Sequence, residues 1–323
     1  MRRVLTMLWA VPAATLLAAL ASAPATAAVA QDPPPARAKC LGAAARDPER
    51  PCPAQRLRLR VTPTPNQAQI TPNLACTGTA VDETLEQCTF GLPAGEAVET
   101  VAVIGDSHAA HWRAALAVVA QAKRWRVLEI ATPHCPLSAA TPDSGPWVAS
   151  FCPEWNRRVT AWLGEHPEVR TVVHSSHARA PVVVPAGRSG FSTRVAGYVR
   201  AWQALPASVQ RLIVIRDNPT DTVGTHACVR RAIAARRPAG RACAIARKRV
   251  LAPDAGVAAA KRLRGRGARV VDLTPHFCGR RFCLPVVGGV LVHKDVDHLT
   301  QLFARTLGPY LLRGVDRLLR DAP

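Results

Sequence analysis

Gly105-Asp106-Ser107-His108 follows the apolar run Val101-Ala102-Val103-Ile104 and opens a helical-looking segment at Ala109-Ala110-His111-Trp112. A strand that turns sharply into a helix places its serine where free backbone N–H groups and the positive end of the helix dipole favour a developing oxyanion. The same tetrapeptide is also an ordinary N-cap sequence. Far along the chain, His293-Lys294-Asp295-Val296-Asp297-His298-Leu299-Thr300 carries an Asp-x-x-His step ahead of another amphipathic stretch. A serine hydroxyl becomes a nucleophile when a histidine takes its proton, and that histidine needs a carboxylate to fix its tautomer and steady the imidazolium. Asp295 and His298 can fill both roles from one turn, although a histidine there is also an ordinary surface or N-cap residue.

These residues must be carried by regular elements. From Thr100 onward, short apolar runs alternate with longer amphipathic ones: strands are expected at 100–104, 126–130, 170–174, 211–216 and 268–273. Helices are expected near 109–123, 153–165, 192–204 and 242–264, with a last one starting near Leu299. Such alternation implies a parallel sheet covered by helices on both faces, with functional groups gathered at the carboxyl ends of its strands. Ser107, the Ser175-Ser176 pair and Asp217 all fall just past expected strand ends. Gly288-Gly289, between Val286-Val287 and Val290-Leu291, reads as a tight hairpin turn leading into the Asp-His loop.

The chain resembles the SGNH hydrolase family, and more closely the SGNH domains fused to bacterial membrane O-acyltransferases that decorate envelope polysaccharides. The resemblance runs from about Cys40 to the C-terminus. It is carried by Gly105-Asp106-Ser107-His108 with Trp112, by Ile213-Val214-Ile215-Arg216-Asp217-Asn218-Pro219, by Asp295-x-x-His298-Leu299-Thr300, and by the cysteine layout. It implies Ser107 as nucleophile, His298 as base and Asp295 as its orienting acid, with no cofactor. The family's oxyanion-hole glycine and asparagine are missing. The corresponding stretches read Ala131-Thr132-Pro133-His134 and His174-Ser175-Ser176-His177. Gly105, Asp106, His108, Ser175, Ser176 and Asp217 are therefore the candidates for lining the oxyanion or substrate pocket. For the two serines the alternative is hydrogen bonding to their own loop, and for Asp217 a loop-forming Asp-x-Pro. The expected fold is three-layer α/β/α around a five-stranded parallel, flavodoxin-like sheet, preceded by a disulfide-stapled irregular extension.

Met1-Arg2-Arg3, the apolar stretch from Val4 to about Ala21, and small-residue cleavage sites at Ala25-Thr26-Ala27 and Ala28-Val29-Ala30 read as a secretory signal peptide over residues 1–30. The alternative is an uncleaved anchor. A Pro/Ala-rich extension over 31–97 and a catalytic domain over 98–323 complete the expected organisation. Ten cysteines in an exported chain point to disulfides. Pairing neighbours in sequence order gives Cys40–Cys52, Cys76–Cys88, Cys135–Cys152, Cys228–Cys243 and Cys278–Cys283, each closing a short loop. No Cys-x-x-Cys step favours zinc.

The formal charge of +20 attracts anionic partners such as envelope polymers or membrane-surface headgroups. Export, an aromatic content of 5% and the lack of a binding motif argue against nucleic acid. The expected activity is that of a secreted serine esterase or O-acyltransferase acting on acyl, chiefly acetyl, esters of cell-envelope carbohydrate, with a membrane acyltransferase as a candidate partner. Two other readings stand beside it. One is a non-catalytic carbohydrate-binding protein that keeps the fold. The other is a metal-dependent phosphoesterase, for which Asp106-x-His108 with Asp295, Asp297 and His298 would supply ligands.

Overall fold

The computed structural model of the chain describes residues 40–50, 52 and 55–320. The expected signal peptide lies outside the described residues. After helix α1 (Pro65–Ile70), strands β1 (Thr77–Ala80) and β2 (Glu86–Gly91) form a hairpin. Strand β3 (Glu99–Gly105) then leads through α2 (Ser107–Ala110) and α3 (Arg113–Lys123) to β4 (Trp125–Ala131), α4 (Pro146–Glu165) and β5 (Val169–Ser175). Helix α5 (Gly190–Gln203), strand β6 (Arg211–Ile215), α6 (Thr225–Ala234) and α7 (Ala239–Ala242) follow. The chain continues through β7 (Ile245–Ala246), α8 (Arg247–Val250), α9 (Ala255–Arg262), β8 (Ala268–Val271) and β9 (Phe282–Cys283). It closes with the small hairpin of β10 (Val286–Val287) and β11 (Val290–Leu291) and the long α10 (Gln301–Arg320).

Five parallel strands in the order β4-β3-β5-β6-β8 make the flavodoxin-like sheet expected from the alternation. Strand residues point alternately to two apolar layers. Val101, Val103, Val127, Val173, Ile213 and Ile215 face α3 and α10, whereas Ala102, Ile104, Leu128, Ile130, Val172, Leu212 and Val214 face α4, α5 and α9. Burial on both faces is why these strands read as continuous apolar runs. The chain leaves β3 for β4 on one side and later returns to β5 on the other. The crevice between β3 and β5 is thus the topological switch point, where such sheets bind ligands.

Two features depart from the expectation. The extension is not wholly irregular: its β1–β2 hairpin continues the sheet antiparallel along β4, making seven strands. Residues 42–47 of the extension dock on α10, with the Ala43 N–H donating to Thr306 Oγ1 at 3.0 Å and Arg313 donating to Asp47 at 3.0 Å. In place of the single helix expected over 242–264, α7 ends at Ala242 and the chain passes through β7 into two shorter helices, α8 and α9. Pro253 cannot donate a helical hydrogen bond, and Asp254 restarts the helix by accepting the Val257 N–H at 3.0 Å. All five sequence-order disulfides are formed. Cys76–Cys88 staples the added hairpin, and Cys135–Cys152 ties α4 to the loop after β4. Gly288 and Gly289 both have positive φ, at 52° and 77°, as the tight β10–β11 turn requires. Among the described residues no helix is long and apolar enough to cross a membrane.

Candidate active site

Ser107 is set at the tip of β3 by its two neighbours. Asp106 is the N-cap of α2: its Oδ1 accepts the His108 N–H at 2.8 Å, leaving Ser107 as the first helical residue. The N–H of a first helical residue has no intrahelical acceptor. Asp106 Oδ2 accepts the His177 N–H at 3.0 Å and so ties this turn to the loop after β5 across the switch-point crevice. Gly105 permits that approach, because a Cβ there would stand 2.1 Å from the Ser175 carbonyl oxygen and 2.9 Å from the Ala109 Cβ. Gly105→Ala is accordingly expected to cost about 1–3 kcal/mol through overpacking, read as a lower urea midpoint.

His298 reaches the serine from the loop before α10. Its Nε2 lies 2.8 Å from Ser107 Oγ, and its Nδ1 lies 2.9 Å from Asp295 Oδ2 and 3.1 Å from Asp297 Oδ1. Asp295 also builds the turn, its Oδ1 accepting the N–H groups of Asp297 at 3.0 Å and His298 at 2.7 Å. The loop is clamped from the segment after β6: Asn218 Nδ2 donates to the Asp297 carbonyl at 2.8 Å, and the Asp221 N–H donates to the Val296 carbonyl at 2.6 Å. Lys294 anchors its other side on Asn73 at 3.0 Å. The imidazole is thus held by both its own turn and a neighbouring strand end.

A buried histidine cluster lies beneath this contact. His108 Nδ1 is 2.7 Å from Asp217 Oδ1, and Asp217 Oδ2 accepts the Ala178 N–H at 2.7 Å, so Asp217 joins α2 to the loop after β5. The His108 ring lies 5.0 Å from His298, 4.7 Å from His111 and 4.6 Å from His177 between centroids. His111 is buried with neither ring nitrogen hydrogen-bonded.

Charge is distributed unevenly over the site. Burial works against a charged His298, but Asp295 and Asp297 outweigh it and push its pKa up to about 9. Asp295, despite partial burial, is held well below the usual carboxylate range by the hydrogen bonds from His298 and the turn amides. Burial and the neighbouring His108 hold His111 far down, in the neutral form. Burial also opposes charge on His108, yet Asp217 raises its pKa. Asp106 is raised by burial.

The structure therefore brings Ser107, His298 and Asp295 together and places Gly105, Asp106, His108 and Asp217 around them. Ser175, which ends β5, and the following Ser176 are engaged elsewhere. Ser175 Oγ accepts the Trp112 indole N–H at 3.2 Å, and Ser176 Oγ lies 2.5 Å from the Tyr198 hydroxyl and 3.2 Å from His174 Nε2 in the layer under α5. On the side of the missing glycine, the Thr132 N–H is spent on the Gly105 carbonyl at 3.2 Å. Asp106, the leading ligand of the metal-hydrolase reading, accepts one backbone amide on each oxygen and stands in none of the clusters of metal-binding side chains among the described residues. His111, His177 and Asn218 were not among the expected site residues. His111 could have been found as the residue one helical turn after Ser107; His177 and Asn218 become neighbours only through the folded loops.

The sequence model of the SGNH domain (fused to AT3 domains) matches residues 75–313. Among solved structures, the periplasmic domain of a Salmonella ser. Paratyphi A lipopolysaccharide acetyltransferase aligns over 72% of this chain and 90% of its own, at 12% identity and a TM-score of 0.46. No curated protein matches the chain. The chain belongs to the SGNH family of ester-acting hydrolases and acyltransferases, in the branch described as fused to AT3 domains.

Proposed function

We propose that the protein is an exported serine esterase or O-acyltransferase that acts on acyl, chiefly acetyl, esters of cell-envelope carbohydrate through an acyl-enzyme on Ser107. The observation that carries this reading is the continuous chain Ser107 Oγ, His298 Nε2, His298 Nδ1 and Asp295 Oδ2, with contacts of 2.8 and 2.9 Å. Asp295 and Asp297 keep a proton on Nδ1, so that in the neutral imidazole Nε2 carries the lone pair that accepts the serine proton. Ser107 then attacks the ester carbonyl. The tetrahedral oxyanion forms at the start of α2, where the Ser107 N–H and the helix dipole favour it. The protonated His298 returns its proton to the departing alcohol, and the acyl group passes from Ser107 to water or to a sugar hydroxyl. Five disulfides support an extracytoplasmic site of action. The excess of cationic side chains, 42 Lys and Arg against 22 Asp and Glu, suits anionic envelope polymers or membrane-surface headgroups. The AT3 fusion in the family points to a membrane acyltransferase as a source of acyl groups.

The direct test is a fluorophosphonate probe followed by peptide mapping. A single adduct on Ser107 is the expected result, and no adduct, or one on another serine, would refute the assignment. The rate has a further signature. Only neutral His298 can act as base, so hydrolysis of p-nitrophenyl acetate should climb with pH through about 9. A plateau already reached near the ordinary histidine pKa would contradict the part given to the paired carboxylates.

A further inference from the structure

Beside the serine, side chains from three separate segments converge: His108 on α2, His177 in the loop after β5 and Asp297 in the loop before α10. One ligand atom from each lies within 4.8 Å of the others. His177 Nε2 is buried without a hydrogen-bond partner and lies 3.7 Å from Asp297 Oδ2. The rings of His177 and His108 stack with an interplanar angle of 18°. His108 Nδ1 faces Asp217 at 2.7 Å. That pairing keeps the proton on Nδ1 and leaves Nε2 as a ligand oriented by a carboxylate, as metal-binding histidines commonly are. Two imidazole nitrogens and one carboxylate oxygen suit a tetrahedral zinc-type ion, with the fourth position left to water. Ligands at about 2.0–2.2 Å from such an ion stand roughly 3.3 Å from one another, so an ion would draw together three atoms that here lie within 4.8 Å, chiefly by movement of His177 and Asp297 towards the buried His108.

We propose that His108, His177 and Asp297 form an inhibitory site for a divalent transition metal of the zinc class. Inhibition follows from charge, and this step rests on the proposed part of His298 as base. Asp297 Oδ1 stands 3.1 Å from His298 Nδ1. A metal ion on the other oxygen withdraws that carboxylate's support and adds positive charge beside a ring that must become an imidazolium when Ser107 gives up its proton. Asp295 remains in place, so the ion slows the reaction without dismantling the turn. Binding itself depends only on the three ligands.

The two parts are tested separately. In equilibrium dialysis, the untagged Ser107→Ala chain should take up one zinc ion, and adding His177→Ala should weaken that uptake at least about tenfold. His177→Gln, closer in size, serves as the second variant, and thermal unfolding checks that both are folded. In the parent chain, zinc chloride should inhibit p-nitrophenyl acetate hydrolysis and EDTA should restore it. Measured against its own basal rate, the inhibition midpoint of His177→Ala should move to higher zinc by the same factor. Absence of stoichiometric uptake, or equal uptake by both folded His177 variants, would overturn the site. Uptake without inhibition would overturn its inhibitory role. A parent chain that binds zinc but hydrolyses no ester would count against the proposed function and leave the metal site standing.

Discussion

Ser107→Ala is expected to lower kcat for ester hydrolysis by at least about 10⁴-fold while leaving the unfolding midpoint nearly unchanged. The expectation follows from covalent catalysis. Without the hydroxyl no acyl-enzyme can form, and the remaining rate must come from water attacking an ester held near the start of α2. His298→Ala should fall to a similar level. Combining the two should cost little more, because serine and histidine act as one unit and the second loss removes an already disabled step. Near-neutral stability is expected because the half-buried Ser107 side chain is hydrogen-bonded to His298 at 2.8 Å and is no part of the apolar core. Parallel measurements on p-nitrophenyl acetate and on acetylated polysaccharide would separate chemistry from substrate binding. A Ser107→Ala chain that hydrolyses either ester at the parent rate would return the fold to the carbohydrate-binding reading.

The elements that position this serine were legible in the sequence to different degrees. β3, β4, β5 and β6 stood out because helices cover both their faces, which demands uninterrupted apolar runs such as Val101–Ile104 and Leu212–Ile215. The β1–β2 hairpin was invisible for the opposite reason. β1 is an exposed edge, Thr77-Gly78-Thr79-Ala80, with no buried face to impose alternation. Helix α6 was missed because its buried positions are only Thr225, Val229 and Ala232, too weak a stripe to distinguish from a loop. The candidate site divides in the same way. Gly-Asp-Ser-His and Asp-x-x-His are local motifs, so their members could be named. The parts of Asp217 and Asn218 depend on which loop each strand end meets: one joins α2 to the loop after β5, the other holds the His298 loop. No local pattern encodes those meetings. His177 is likewise an unremarked residue past a strand until Asp106 accepts its amide and Asp297 comes to stand opposite its ring.

Replacing both Asp295 and Asp297 by asparagine should cost far more than either replacement alone. Where one carboxylate holds the imidazole, amide replacement costs about 10⁴-fold in kcat, because an amide N–H can face Nδ1 and force the proton onto the wrong nitrogen. Here Nδ1 has two carboxylate oxygens, at 2.9 and 3.1 Å. Asp295→Asn leaves Asp297 in reach, and its Oδ1 can still accept the two amides of the turn. Its loss should therefore stay well below that limit, and Asp297→Asn should be milder still. The double variant has no anion at Nδ1 and should approach it, a coupling that a double-mutant cycle would measure directly. The titration gives an independent check. His298 is raised in the folded chain from 6.5 to about 9. The stabilisation by its ion pairs is thus fully present below pH 6.5 and is lost as pH rises through about 9. Urea midpoints should fall over the same interval in which activity climbs, since one deprotonation removes the ion pair and creates the base. In the double variant the fall in stability should flatten and the rise in the residual rate should move towards the ordinary histidine range. A double variant no slower than Asp295→Asn, with an unchanged pH profile, would remove Asp297 from the proton-transfer set and leave Asp295 as its sole anion.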